Sequence, residues 1–190
     1  MNTKIPFGDR IDATVVRQNG ILLSARFGTL WTFEHYRKGR LIDGWTQGNV
    51  CTVEGLNHLL DATFHGGTQI STWYLLLYDS DTTPSESTTY ATPVFTEVTS
   101  KIDESTRPEF VGAAASSKSI TNSANKATFT FNSSDTIYGG ALVGGGTSAS
   151  TKGDTAGGGV MFCAVKFGSS KSVVNTDVIL VTCTITLANA

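Results

Sequence analysis

The sequence predicts a mainly β protein: an antiparallel β-sandwich, jelly-roll-like in topology, with one short helix and an N-terminal extension. Three observations point there. Ala127, Phe129 and Phe131 alternate with Thr128, Thr130 and Asn132, and Val181, Cys183, Ile185 and Leu187 alternate with Thr182, Thr184 and Thr186. Apolar residues on one face and threonine on the other describe a half-buried antiparallel strand. Thr136 to Val143 and Gly158 to Phe167 are near-continuously apolar, as central strands are. Charged residues make up only 16% of the chain, and there are 20 glycines. That is well under the ~25% charge of an average soluble domain and favours strands and turns over long solvated helices.

The elements follow in order. Val15-Val16 and Ile21-Leu22-Leu23 flank Asn19-Gly20, a strong hairpin signal because both turn positions need positive φ. A second hairpin is expected from Leu30 to Gln47 around Lys38-Gly39, with Trp31, Phe33 and His35 on one face and Thr32, Glu34 and Tyr36 on the other. Val53, Leu56, Leu60 and Phe64, with Leu59 beside them, paint one side of a three-turn helix that Gly66-Gly67 stops. Ile70 to Tyr78 reads as a buried strand. Asp79 to Thr92 is a polar loop, Phe95 to Ile102 a short helix or an irregular crossing, and Ser148 to Gly159 a loop by composition. Phe129, Phe131, Trp73, Leu75, Val181 and Ile185 form the expected core.

At 190 residues the chain divides into an N-terminal arm or hairpin, 1–28, and a β-rich domain, 29–190. Formal net charge is -2, which gives no overall basic field to attract nucleic acid. The charge is unevenly spread. Residues 1–50 hold seven Lys/Arg against four Asp/Glu, residues 51–110 two against nine, and residues 111–190 five against three. No run is long enough to cross a membrane as a helix, and MNTKIPFGDRID lacks the apolar stretch a secretion signal needs. Cys51, Cys163 and Cys183 show neither the spacing of a zinc site nor an even count, so buried reduced thiols in a reducing cytoplasm are expected, with a Cys163–Cys183 bridge between neighbouring strands as the alternative.

Motifs for chemistry are thin. His65-Gly66-Gly67 lacks the GxSxG elbow that would make it an esterase oxyanion loop, and the glycine clusters at 144–146 and 157–159 lack a phosphate-gripping Gly-Lys-Ser/Thr. Asp79-Ser80-Asp81 opens like a calcium loop, but Pro84 stands at the sixth position, where such a loop turns on glycine. His58 and His65 sit seven apart, with the helix ending at the second. No catalytic, cofactor or metal residue is therefore assigned, and an enzyme is not expected.

The stretch EGLNHLLDATFHGGTQISTWYLLLYDSD, Glu54 to Asp81, together with Tyr90-Ala91-Thr92-Pro93 and Glu104-Ser105-Thr106-Arg107-Pro108-Glu109-Phe110, resembles small virion proteins of tailed bacteriophages of the capsid decoration or cement type. The likeness runs from about Leu30 to the C-terminus. It implies a virion protein on the outer capsid surface, made in the host bacterial cytoplasm, with the major capsid protein as partner and a homo-oligomeric state, dimer or trimer. On that reading residues 1–28 supply a capsid-binding arm through Lys4, Phe7, Arg10, Ile11, Arg17 and Arg26. The same residues also suit the first strands of the sandwich. The alternative function is a phage tail-fibre or receptor-binding (adhesin) domain, since a sandwich with Ser/Thr/Gly loops and scattered Trp and Tyr suits glycan recognition.

Overall fold

The computed structural model describes residues 25–189. The Asn19-Gly20 hairpin and the greater part of the arm lie outside them. The molecule is mainly β, with 46% strand and 7% helix, in two antiparallel sheets that pack as a sandwich and form no closed barrel.

The larger sheet is built on β1 (Ala25–Arg37) and β9 (Val178–Asn189), which pair antiparallel from Ala25↔Asn189 to Tyr36↔Val178. β2 (Arg40–Gly48) flanks β1, while β5 (Ser119–Thr121) and β6 (Ala127–Thr130) follow one another along the other side of β9. The smaller sheet has the order β3 (Val50–Cys51), β8 (Val160–Val173), β7 (Asp135–Gly144), β4 (Trp73–Tyr78). Among the described residues the first strand pairs with the last in the larger sheet, and β3 pairs with β8 in the smaller one. β7 and β8, by contrast, form a hairpin within one sheet.

Sequence chemistry accounts for the turns. β1 and β2 are joined by Lys38 (φ 49°) and Gly39 (φ 74°), both in the left-handed region, as a two-residue hairpin turn requires. An extra residue in β2, between the pairs His35↔Asp43 and Tyr36↔Leu41, bulges the strand near that turn.

Alternation sorts residues as the sequence predicts. Trp31, Phe33, Phe129, Phe131, Leu75, Val181 and Cys183 are buried between the sheets, with Trp73 and Ile185 packed at the margin. Aromatic rings organise this layer. Phe33 stacks on Trp45 at 5.0 Å and meets Phe167 edge-on at 4.7 Å. The smaller sheet is covered on its other face too. Leu76, Tyr78, Ala141, Val143 and Met161 point away from the sandwich core into a second apolar layer closed by Tyr90, Phe95 and Ala149. That double cover is why β7 and β8 read as continuous apolar runs rather than alternating ones.

The segment 79–110 makes the second cover and is irregular, with no helix in Phe95 to Ile102. It also seals the exposed edge of β4. Glu97 bridges to Tyr78 and Glu109 to Tyr74, so that edge offers few free backbone groups.

Candidate binding surface

The one helix among the described residues, α1 (Val53–Phe64), carries the most unusual surface. Its ends are fixed by local chemistry. The Thr52 hydroxyl accepts from Gly55 N at 2.9 Å as N-cap. Gly66 takes φ 71°, and Gly67 N donates to the Asp61 carbonyl at 2.9 Å, ending the last turn.

The face turned inward is not the apolar stripe. Gly55 is the buried residue of the helix, and a Cβ there would lie 2.5 Å from Phe162 Cα. A bare backbone thus lets the helix lie directly on β8. His58 packs edge-on to Trp73 at 5.9 Å, and Trp73 to Phe162 at 5.6 Å. Glu54, in the first turn, is spent inward, accepting from Tyr90 N at 2.9 Å and Met161 N at 2.7 Å. Leu56 alone of the stripe packs against the core. Val53, Leu59, Leu60 and Phe64 face solvent, with Leu60 55% and Phe64 82% exposed. Large apolar side chains clustered in water mark an interaction surface. Substituting Gly55 by alanine should cost about 1–3 kcal/mol of stability, because α1 or the β8 backbone must shift. Denaturant melts of G55A beside N57A, on the exposed side of the same helix, measure this.

A second feature holds the loops near this surface in place. Arg107, 3% exposed, donates through Nε and Nη2 to Glu97, with the Nη2 bond at 2.6 Å, and through Nη1 to the Tyr90 hydroxyl at 3.1 Å and the Ala149 carbonyl at 2.9 Å. Nη2 also reaches the Asp154 carbonyl at 3.0 Å. Burial is the largest single influence and opposes the charge of Arg107, but the bonds and charge of Glu97 and Tyr90 together outweigh it and raise the guanidinium pKa. The Tyr90 hydroxyl donates to Asp154 at 2.6 Å, and this bond holds the Asp154 carboxyl below its ordinary range. The loop expected from composition at Ser148 to Gly159 is therefore clamped to the 79–110 segment. Every donor of Arg107 is engaged within the protein, so the pocket of about 300 Å³ above it, lined by Pro93, Phe95 and Thr99, has no free cationic group at its floor. A wider open groove, about 730 Å³, lies between Glu104–Glu109 and Asn125–Thr128.

Of the expected capsid-binding residues, Lys4, Phe7, Arg10, Ile11 and Arg17 lie outside the described residues. Arg26 falls in β1, where its backbone pairs with Ala188. The acidic pair of the calcium-like loop is engaged by lysines: Asp79 lies 3.6 Å from Lys101 and Asp81 2.8 Å from Lys166. Among the described residues no group of three His, Cys, Asp or Glu is arranged to hold a metal ion. All three cysteines are free and buried. Burial pushes the Cys51 thiol up to about 12, and burial with the adjoining Cys183 thiol raises Cys163 well above its ordinary value.

The exposed helix face was half legible, since the sequence shows the stripe. That the stripe points outward depends on Gly55, whose role is a close approach of backbones that hydropathy does not register. No protein-family model matches the chain, and no curated protein matches it.

Proposed function

We propose that this chain is a bacteriophage capsid decoration (cement) protein that binds the outer surface of the head and reinforces contacts between major capsid protein subunits. The observation that carries the reading is the outward apolar face of α1, Leu59, Leu60 and Phe64, mounted on a doubly covered sandwich. It lies within the stretch Glu54 to Asp81, which resembles such virion proteins. A decoration protein needs a body that unfolds slowly and a surface that gains by leaving water, and both are supported here. Residues 1–28, with Lys4, Phe7, Arg10, Ile11, Arg17 and Arg26, would add a second attachment, and a homo-oligomer would multiply both through effective concentration. No catalytic or cofactor role is proposed.

The test is cosedimentation with capsids that lack this protein. Full-length chain should pellet with them. Replacing Leu60 and Phe64 together by serine should weaken binding roughly tenfold or more while leaving the melting curve unchanged, because both side chains are already exposed. Binding carried by the basic arm should weaken with salt, since exposed charge pairs are screened over ~8 Å at physiological ionic strength, whereas binding carried by α1 should not. Equal binding by the serine variant would remove α1 as the contact. A full-length chain that ignores capsids would sink the decoration reading. It would favour the adhesin alternative, for which the open groove beside Tyr74, Ser105, Thr106, Asn125 and Thr128 is the supporting observation.

A further inference from the structure

Cys51 and Cys163 stand directly opposite one another in the β3–β8 ladder, although 112 positions apart in sequence. The hydrogen bond from Thr52 N to the Phe162 carbonyl, 3.1 Å, belongs to the neighbouring pair of the ladder. In an antiparallel ladder the two kinds of pair alternate, so Cys51 and Cys163 form a non-hydrogen-bonded pair. In such a pair the Cα atoms are about 4.5 Å apart and the side chains closest. That is inside the ~4.4–6.8 Å window a disulfide spans. Both side chains point into the same core layer. Cys183 adjoins Cys163 as well, but from β9 in the other sheet. Packed sheets lie roughly 10 Å apart, which is beyond the ~7 Å limit for bridging two cysteines without moving the backbone.

We propose that Cys51 and Cys163 are a disulfide-forming pair, closed by a disulfide oxidant in the folded protein, with Cys183 left as a thiol. Cys51 is the entry point. It is 5% exposed while Cys163 and Cys183 are fully buried, and it sits on a two-residue strand at the sheet edge. Short edge pairing of this kind opens locally at little cost. The Cys51 thiolate attacks oxidised glutathione and releases one glutathione thiolate. The Cys163 thiolate then attacks the Cys51 sulfur of that mixed disulfide and releases the second. Two cysteine thiols lose two electrons and two protons, and one glutathione disulfide becomes two thiols. A reducing milieu keeps the pair open and an oxidising one closes it. Thr52, the N-cap of α1, follows Cys51 directly, so the bridge fastens the base of the helix to a central strand.

The test is intact-mass and peptide mapping of native protein incubated with oxidised glutathione. The expected product has lost the mass of two hydrogens, carries a Cys51–Cys163 linked peptide pair, and keeps one thiol that alkylates only after denaturation. The rate should rise about tenfold per pH unit between roughly pH 7 and 9, because the attacking thiol is mostly protonated there. Closing so long a loop should raise the melting midpoint by roughly 5–10 °C. C183A should still form the bridge, whereas C51A and C163A should not, each checked as folded by its thermal melt. A Cys163–Cys183 peptide pair, bridges between separate chains, or native protein that stays fully reduced while denatured chain oxidises would each overturn the proposal.

Discussion

Truncating Phe131 to alanine is expected to lower the unfolding free energy by about 3–5 kcal/mol. The ring is fully buried between the sheets, so its removal forfeits both its transfer from water and its packing. The site has little freedom to collapse into the gap. Phe131 N donates to the Asp177 carbonyl at 2.8 Å, and the Phe131 carbonyl accepts from Thr176 N at 2.7 Å, so the backbone is tied to the β8–β9 turn. Urea denaturation of F131A beside T128A, an exposed position on β6, separates burial from strand propensity. A T128A change within about 0.5 kcal/mol is expected. Equal midpoints for F131A and the parent would mean that Phe131, directly after β6, does not face the core.

The second large effect concerns Asp177, fully buried in that same turn. Its carboxylate accepts from Arg37 Nε at 2.8 Å and Nη2 at 2.7 Å and from Val174 N at 2.9 Å, and it lies 2.8 Å from His35 Nε2. Burial alone would raise its pKa. The bonds from Arg37, Val174 and His35 outweigh burial and hold the carboxyl well below the usual carboxylate range. D177N should cost roughly 3 kcal/mol at neutral pH, at the low end for a broken buried ion pair because Arg37 still reaches solvent. A depressed folded-state pKa gives stability that is fully present above the unfolded value, near ~3.9, and is lost as pH falls toward the folded one. The gap between parent and D177N should therefore be constant at neutral pH and narrow steadily below about pH 4. Thermal melts of both proteins at a series of acid pH values measure it. A gap that widens on acidification would show that Asp177 is protonated in the fold.

What the sequence disclosed, and what it withheld, follows from the range of the forces involved. Lys38-Gly39, the α1 stripe over 53–64 with its stop at Gly66-Gly67, and the threonine-backed strands are local matters of turn conformation, helix termination and alternation, and each stands where the pattern indicates. β5 was not legible. Ser119-Ile120-Thr121 is short and polar, and it is a strand only because β9 offers it Thr184 to Thr186. Arg107 lies in a polar segment that reads as solvated, and only the folded chain brings Glu97, Tyr90 and the Ala149 carbonyl around it. Cys163 and Cys183 both fall in alternating or apolar strands, yet no local rule assigns them to opposite sheets.

The pairing of β1 with β9 sets a clock as well as a shape. β1 is the second strand of its sheet and cannot gain its inner neighbour until the chain has traversed everything from Arg37 to Val178. Loop closure over that distance is costly before any contact rewards it, so folding should be slow, on the millisecond-to-second side of small-domain rates. The β1–β2 hairpin, with its exposed flank, must wait meanwhile for the strand that completes it. Once closed, the same pairing must be undone along its whole length before β1 comes free, which favours long-lived native molecules over rapid exchange with the unfolded chain.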